Sequence, residues 1–381
     1  MSKENYRRLG DYIREVDVRN RDLEVKELLG INIGKYFMPS VANVVGTDLS
    51  NYKIVYKNQF ACNLMHVGRD EKIPIAILDD CESAIVSPAY FTFEISDYDV
   101  LLPQYLMMWF RKPEFDREAW FYTDGDVRGG MSKIALLDMS LPVPPIEQQR
   151  KIVAEYEAVS RRIRLNEQRI TRLEETAQAL YHKMFVDGID KENLPEGWRM
   201  GTLEVLCESI MAGTIPIYSD SSQYLVLGQK CNNNGYIDLS KARRHIPKAN
   251  STLLQFGDIL VNSTGEGTLG RVGQIYFQPQ NLTFDSNMTM IRVKEEYMIE
   301  YVGCYLLQKK DLFVNMSQGS TNQTRLYCSM IRPLEIIIPD YNALKAYSKS
   351  CRPIKLFIEQ KRQENNKLQE LQSLQLVKMV H

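Results

Sequence analysis

The chain has 381 residues, 44% of them hydrophobic, and a formal net charge of −1. That length predicts two or three domains with real cores. The charge excludes a protein that grips nucleic acid by bulk basicity alone: residues 6–144 carry 16 Lys+Arg against 21 Asp+Glu (−5), 198–339 carry 13 against 12 (+1), and 340–381 carry 8 against 4 (+4).

The first globular segment opens with Tyr6-Arg7-Arg8-Leu9. Short strand-like runs follow at Asn51–Tyr56, Ile73–Leu78 and Ala84–Ile95, punctuated by Gly, Asn, Asp and Pro. Gln104–Phe110 reads as a buried helix, and Leu141–Pro145 as a short strand ended by prolines. Residues 146–186 then hold one long amphipathic helix. Its heptad a positions are Tyr156, Ile163, Ile170, Ala177 and Met184; its d positions are Ile152, Val159, Asn166, Leu173 and Leu180. All but Asn166 are apolar or aromatic, which is a coiled-coil seam, and a lone seam Asn is a register-setting device. About 40 residues at ~1.5 Å each predict a rod of ~60 Å. A linker with Gly188, Pro195 and Gly197 precedes Trp198, which opens the second globular segment. Its strand-like runs are Tyr224–Leu227, Asp258–Asn262, Gly273–Phe277, Met288–Val293 and Leu334–Ile338, with a helix at Tyr301–Gln308. A second long helix over 342–381 has a weaker seam: Ile354, Ile358 and Leu368 are apolar, whereas Lys361, Asn365, Gln372 and Gln375 are polar.

The halves repeat at an offset of 195 residues: Pro144 maps to Pro339, Val159 to Ile354, Ile163 to Ile358, Gln168 to Gln363, Leu173 to Leu368, and Lys183-Met184 to Lys378-Met379. An exposed seam is unstable in water, so the two helices are expected to pack antiparallel against each other. The fold class is therefore α+β, with a pseudo-two-fold internal repeat. The expected domains are 1–145 and 198–340, the long helices 146–187 and 341–381, and the linker 188–197.

Motifs of chemistry are missing. Gly265-Glu-Gly267-Thr-Leu-Gly270 fits G-x-G-x-x-G, but Arg271–Phe277 after it reads as a strand, so a turn is expected rather than a nucleotide site. No Walker A, H-E-x-x-H or G-x-S-x-G sequence occurs, and Asp79-Asp80 reads as a solvated turn. Four scattered His and seven Cys without a C-x-x-C pair predict no metal site and reduced thiols, as in a cytoplasmic protein. The start of the chain has no apolar stretch of a secretory leader. Polar and basic clusters suited to base edges are Lys35, Tyr36, Asn63, His66 and Arg69, with Arg128 and Lys133, in the first half. In the second half they are Lys230, Arg243, Arg244, Arg271, Gln323 and Arg325.

Pro144-Pro145-Ile146-Glu147-Gln148-Gln149-Arg150-Lys151-Ile152, running into a long seam helix, resembles the specificity subunit of type I restriction–modification systems. So does the two-fold plan, with Leu194-Pro195-Glu196-Gly197-Trp198 before the second globular segment. The second junction departs from this pattern: Pro339-Asp340-Tyr341-Asn342-Ala343-Leu344 lacks the Glu-Gln pair. The resemblance implies a non-catalytic subunit whose two target-recognition domains each read half of a split duplex DNA target. It implies docking of two methyltransferase subunits, which hold S-adenosylmethionine. Motor-nuclease subunits that use ATP and Mg are further possible partners. No cofactor of its own and no membrane association are expected. The rival readings are a structural coiled-coil adaptor that reads no DNA, and a methyltransferase or nuclease with diverged motifs.

Overall fold

The computed structural model describes residues 6–41, 46–65, 67–123, 129–319 and 324–379. The chain forms two compact units: one runs to Arg164 and resumes from Asn366, and the other spans Leu165–Asn365. Each unit therefore owns one stretch of each long helix, Ile146–Phe185 and Tyr341–Lys378.

In the first unit the opening strand Tyr6–Arg8 pairs antiparallel with Ser140–Pro142, Tyr6 opposite Pro142. A four-stranded sheet follows in the order Ile13–Glu15, Phe91–Ile95, Phe60–Cys62, Ile75–Ile77. The helices Pro103–Phe110 and Pro113–Phe121 cover it, each with Pro in its first turn, where a missing N–H costs nothing. Phe60 and Phe93 stack at 4.9 Å in this core, and Phe110 stands edge-on to both. The expected strand Ala84–Ile95 is two strands, Ser83–Val86 and Phe91–Ile95, in different sheets. Pro88 and a turn closed by Tyr90 N–H on Ser87 C=O separate them. A hairpin, Leu29–Asn32 with Tyr36–Pro39, turns through Lys35 in a left-handed conformation (φ +66°).

The second unit repeats this plan. Arg199–Thr202 pairs antiparallel with Glu335–Ile338. Its principal sheet runs Cys207–Ala212, Met288–Val293, Ile259–Asn262, Val272–Gln274. This is the strand order of the first unit, position for position. The backbone bonds repeat as well: Leu9 N–H to Met139 C=O in one unit is Leu203 N–H to Leu334 C=O in the other, at 2.8 and 2.9 Å. A second sheet, Ile217–Tyr218, Arg243–Ile246, Leu225–Leu227, Leu282–Phe284, includes one parallel pair.

The long helices meet within each unit. In the first unit, Val153 and Tyr156 share a core with Leu376 and Met379, and Gln372 Nε2 donates to Ser160 Oγ at 2.6 Å. In the second, Tyr181 and Phe185 pack on Tyr347, and Asn166 Nδ2 donates to Asn365 Oδ1 at 2.9 Å. The start of one helix thus lies against the end of the other in both units, which is antiparallel pairing. Of the seam residues, Tyr156, Ile163, Asn166 and Ile358 are buried; Ile152, Val159, Ile170, Leu173, Leu180, Ile354 and Leu368 are half-buried. Each fully covered aliphatic contributes roughly 1.5–3 kcal/mol.

The junction between the first globular part and its helix rests on Gln149, which is fully buried. Its Nε2 donates to Val100 C=O and Pro144 C=O, both at 2.8 Å, and its Oε1 accepts from Leu102 N–H at 3.0 Å. At the repeat position stands Leu344, buried in the apolar core. There the helix start is capped by Asp340, whose Oδ1 accepts from Ala343 N–H at 2.7 Å. The departure in motif is a change from a polar clasp to an apolar plug plus a cap. Gln149→Ala strands one donor and two acceptors and is expected to cost about 3 kcal/mol. The exposed Gln148→Ala is expected to stay within about 0.5 kcal/mol of the parent. Chemical denaturation of both variants measures the difference, and equal midpoints would refute the clasp.

Candidate nucleic-acid interface

In the first unit two loops meet where Gly68 N–H donates to Gly129 C=O at 2.7 Å and Met131 N–H to Leu64 C=O at 2.9 Å. The contact needs glycine: a Cβ on Gly68 would lie 2.8 Å from Gly129 Cα. Asn63 and Arg69 flank this junction. Asn63 Oδ1 accepts from Met65 N–H at 3.1 Å, and Arg69 is exposed and pairs with Asp70 at 2.8 Å. Tyr36 stands elsewhere, on the hairpin, lining a cleft of about 660 Å³ with Asp79, Arg111 and Arg161. Burial and the adjacent Asp80 raise the Asp79 carboxyl above the usual carboxylate range.

Lys35 corrects the sequence reading. It is 4% exposed, its ammonium lies 2.7 Å from Asp116 and donates to Phe110 C=O, and it sits over the Phe115 ring. Burial pulls its pKa below the usual lysine range, against the opposing pull of Asp116. This lysine holds the hairpin to the core, and burial withdraws its ammonium from any base. Lys133 is similarly engaged, ion-paired with Glu15 and seated over Phe91. His66, Arg128 and Gln323 lie outside the described residues.

The second unit carries the same junction: Leu326 N–H donates to Ser263 C=O at 2.8 Å, and Leu326 is the repeat of Met131. Around it lies a dense polar lattice. Asn232 is fully buried, and its Nδ2 reaches Leu260 C=O, Asn262 Oδ1 and Arg271 C=O at 3.1, 3.1 and 2.9 Å. Asn262 Nδ2 donates to Gln229 C=O at 3.0 Å. Thr264 Oγ1 reaches Asn287 Oδ1 at 3.1 Å. Arg271 donates to Gly267 C=O at 3.1 Å, and Arg325 to Ser286 C=O at 2.7 Å. Lys230 is exposed on the turn Gln229–Cys231. Arg271, Arg325 and Lys230 are thus brought to one loop cluster. Arg243 and Arg244 are not: they lie on the second sheet, where Arg243 stacks on Tyr218 at 3.5 Å and Arg244 donates to Ser222 C=O at 2.5 Å. The G-x-G-x-x-G segment is the turn between the antiparallel strands Ile259–Asn262 and Val272–Gln274. Sequence reasoning missed Gln229, Asn232, Asn262 and Asn287. Their one signal was the run Asn232-Asn233-Asn234-Gly235 at a turn.

From this cluster the lattice extends to the helix pair. Asn234 Oδ1 accepts from Val272 N–H at 3.2 Å, and the neighbouring Tyr236 ring lies under the Arg362 guanidinium at 4.1 Å. Arg362 is ion-paired with Glu174, so one residue of each long helix braces the turn.

Two similar units, each presenting a loop junction at the end of its principal sheet, define a bipartite binding protein. Comparison supplies its class. Residues 195–370 match the model of the type I restriction modification DNA specificity domain. That stretch is thus similar to the specificity domain of the family that the sequence resembles. Three solved structures are similar over nearly all of its length. The type-I restriction-modification system S subunit from M. genitalium shares the fold at a TM-score of 0.64, with 12% identity, over 98% of this chain and 95% of that one. The HsdS subunit from Thermoanaerobacter tengcongensis matches at 17% identity and a TM-score of 0.37, over 100% and 99% of the two chains. A chain from a structure on assembly and conformational transition of the type I R-M system matches at 16% and 0.44, over 98% and 96%.

Asn232→Ala removes four contacts from a buried lattice, the three of Nδ2 and the one that Oδ1 accepts from Asn234 N–H at 3.1 Å, and is expected to destabilise the protein by about 3 kcal/mol. Lys230→Ala is expected to leave the melting temperature unchanged while lowering affinity for all duplexes and reducing the salt slope of binding by about 1. Titrations at several salt concentrations check this, and an unchanged slope would remove Lys230 from the interface.

Proposed function

We propose that this protein is the DNA-specificity subunit of a type I restriction–modification system, reading a split duplex target with one half-site per unit. The observation that carries the reading is the duplicated loop junction, whose second copy falls inside the matched specificity domain. Among the described residues no group of three or more His, Cys, Asp or Glu is placed to hold a metal ion. Among the same described residues no helix is long and apolar enough to cross a membrane. The seven cysteines are free thiols, which suits a cytoplasmic protein. The subunit has no catalytic role of its own. It docks two methyltransferase subunits, which bind S-adenosylmethionine and methylate adenine; restriction subunits using ATP and Mg are further partners.

The long helices set the gap between half-sites. A 40-residue helix spans ~60 Å, and removal of one heptad from each long helix takes away ~10 Å, or about three base pairs of duplex.

Genome-wide mapping of N6-methyladenine tests the reading, in cells carrying the chain with its methyltransferase and in cells lacking this chain alone. A split motif with a fixed gap is expected to vanish on deletion; unchanged methylation would overturn the reading. In the heptad-deleted chain the gap is expected to shorten or binding to be lost, and an unchanged gap in a binding-competent variant would refute the ruler.

A further inference from the structure

The turn Thr264–Thr268 has a structure that the lattice around it does not require. Gly265 and Gly267 both occupy the left-handed region, at φ +106° and +70°. At Gly265 a Cβ would lie 2.2 Å from Gln229 Oε1 and 2.3 Å from Thr268 Oγ1, so the base of the turn is packed against polar side chains. At Gly267 nothing lies within 4 Å of such a Cβ, so the tip is open. Thr268 N–H and Leu269 N–H both close on Gly265 C=O, at 3.0 and 2.8 Å, and Arg271 holds Gly267 C=O from below. Between the two glycines stands Glu266, exposed. Among the described residues no hydrogen bond or ion pair engages its carboxylate.

A rigid turn that lifts an unengaged carboxylate off a polar scaffold is a preorganised acceptor. On a protein that binds a polyanion, that carboxylate repels phosphate and is favourable only against a hydrogen-bond donor. In the major groove adenine offers its amino group beside the N7 acceptor, and guanine and thymine offer acceptors; cytosine offers its N4 amino group. We propose that Glu266 reads a cytosine in the half-site of the second unit, with the turn Thr264–Thr268 as the reading finger. The arginines nearby are positioning residues: Arg271 holds the finger through Gly267 C=O, and Arg325 holds the adjacent loop through Ser286 C=O.

The inference rests on the proposed function, and one experiment separates the two. Methylation is mapped in cells carrying the methyltransferase with the parent chain, Glu266→Gln or Glu266→Ala. The parent motif is expected to specify a C·G pair at one position that Glu266→Gln shifts toward A·T, since a carboxamide matches adenine N6 and N7. Glu266→Ala is expected to accept any base there. The other half-site and the gap stay as they were. Duplexes carrying each base at that position, bound by the purified complex, are expected to differ roughly 5- to 150-fold with the parent and little with Glu266→Ala. A motif identical in all three chains would overturn the assignment. So would loss of specificity spread over the whole half-site while the complex still assembles. A parent chain that directs no split motif would instead refute the specificity-subunit reading itself.

Discussion

An amphipathic helix of forty residues is stable in water only when its apolar stripe is covered, and most of this architecture answers that demand. Propensity alone leaves such a helix marginal; tertiary burial decides. Each unit supplies the cover by running its own core into the seam. Val153 and Tyr156 belong to the first core, and Ala177, Tyr181, Phe185 and Tyr347 to the second. The helices are therefore not appendages of the globular parts but continuous with them. That continuity is why the junctions are so heavily tied. In the first unit Gln149 clasps three backbone groups across the boundary. In the second, the buried carboxylate of Glu300 receives Ser348 Oγ and the Arg352 guanidinium, both at 2.7 Å, which fastens the helix Ile299–Leu307 to the second long helix.

Apolar burial is non-directional, so a purely apolar seam would tolerate sliding by a turn. The polar residues within it remove that freedom. Asn166 Nδ2 meets Asn365 Oδ1 only at one register, and a slip breaks that bond between two buried amides. Gln372 with Ser160 and Arg362 with Glu174 repeat the constraint at other levels. The polar seam positions of the second helix thus have a use: Asn365 and Gln372 lower the hydrophobic yield but, through Asn166 and Ser160, raise the cost of misalignment.

The repeat and the seam were legible because they depend on periodicity, which survives without knowledge of tertiary contacts. The first helix, Ile146–Phe185, follows directly from its a and d positions. What was illegible depended on long-range partners. Lys35 read as a basic surface residue beside an aromatic, yet Asp116, about eighty residues away, draws its ammonium inside. The apolar run Ala84–Ile95 read as one strand because two adjacent strands of different sheets look alike when both are buried. The hairpin Leu29–Pro39 escaped because its turn uses Lys35 at positive φ in place of the usual Asn-Gly pair. At the interface, chemistry-bearing types such as Arg and Lys drew attention, whereas the scaffold is built by Asn232, Asn262 and Gln229, whose importance arises from three-dimensional convergence.

The same distinction explains how a protein of net charge −1 can serve a polyanion. Affinity for DNA comes largely from phosphate contacts, and those carry no sequence information. Here several cations are spent internally: Lys35 on Asp116, Arg271 on Gly267 C=O, Arg325 on Ser286 C=O, Arg362 on Glu174. Each gives up a phosphate contact to hold a loop in one geometry. On the proposed function, a subunit organised this way is specific without being strongly adhesive, and partner chains are expected to supplement its grip on the duplex. A free, strongly basic reader would occupy random DNA; one that needs a partner's surface to hold the backbone engages only when that partner is present. On that proposal, low charge and a rigid polar scaffold are two sides of one division of labour, in which discrimination is built into this chain and adhesion is shared with its partners.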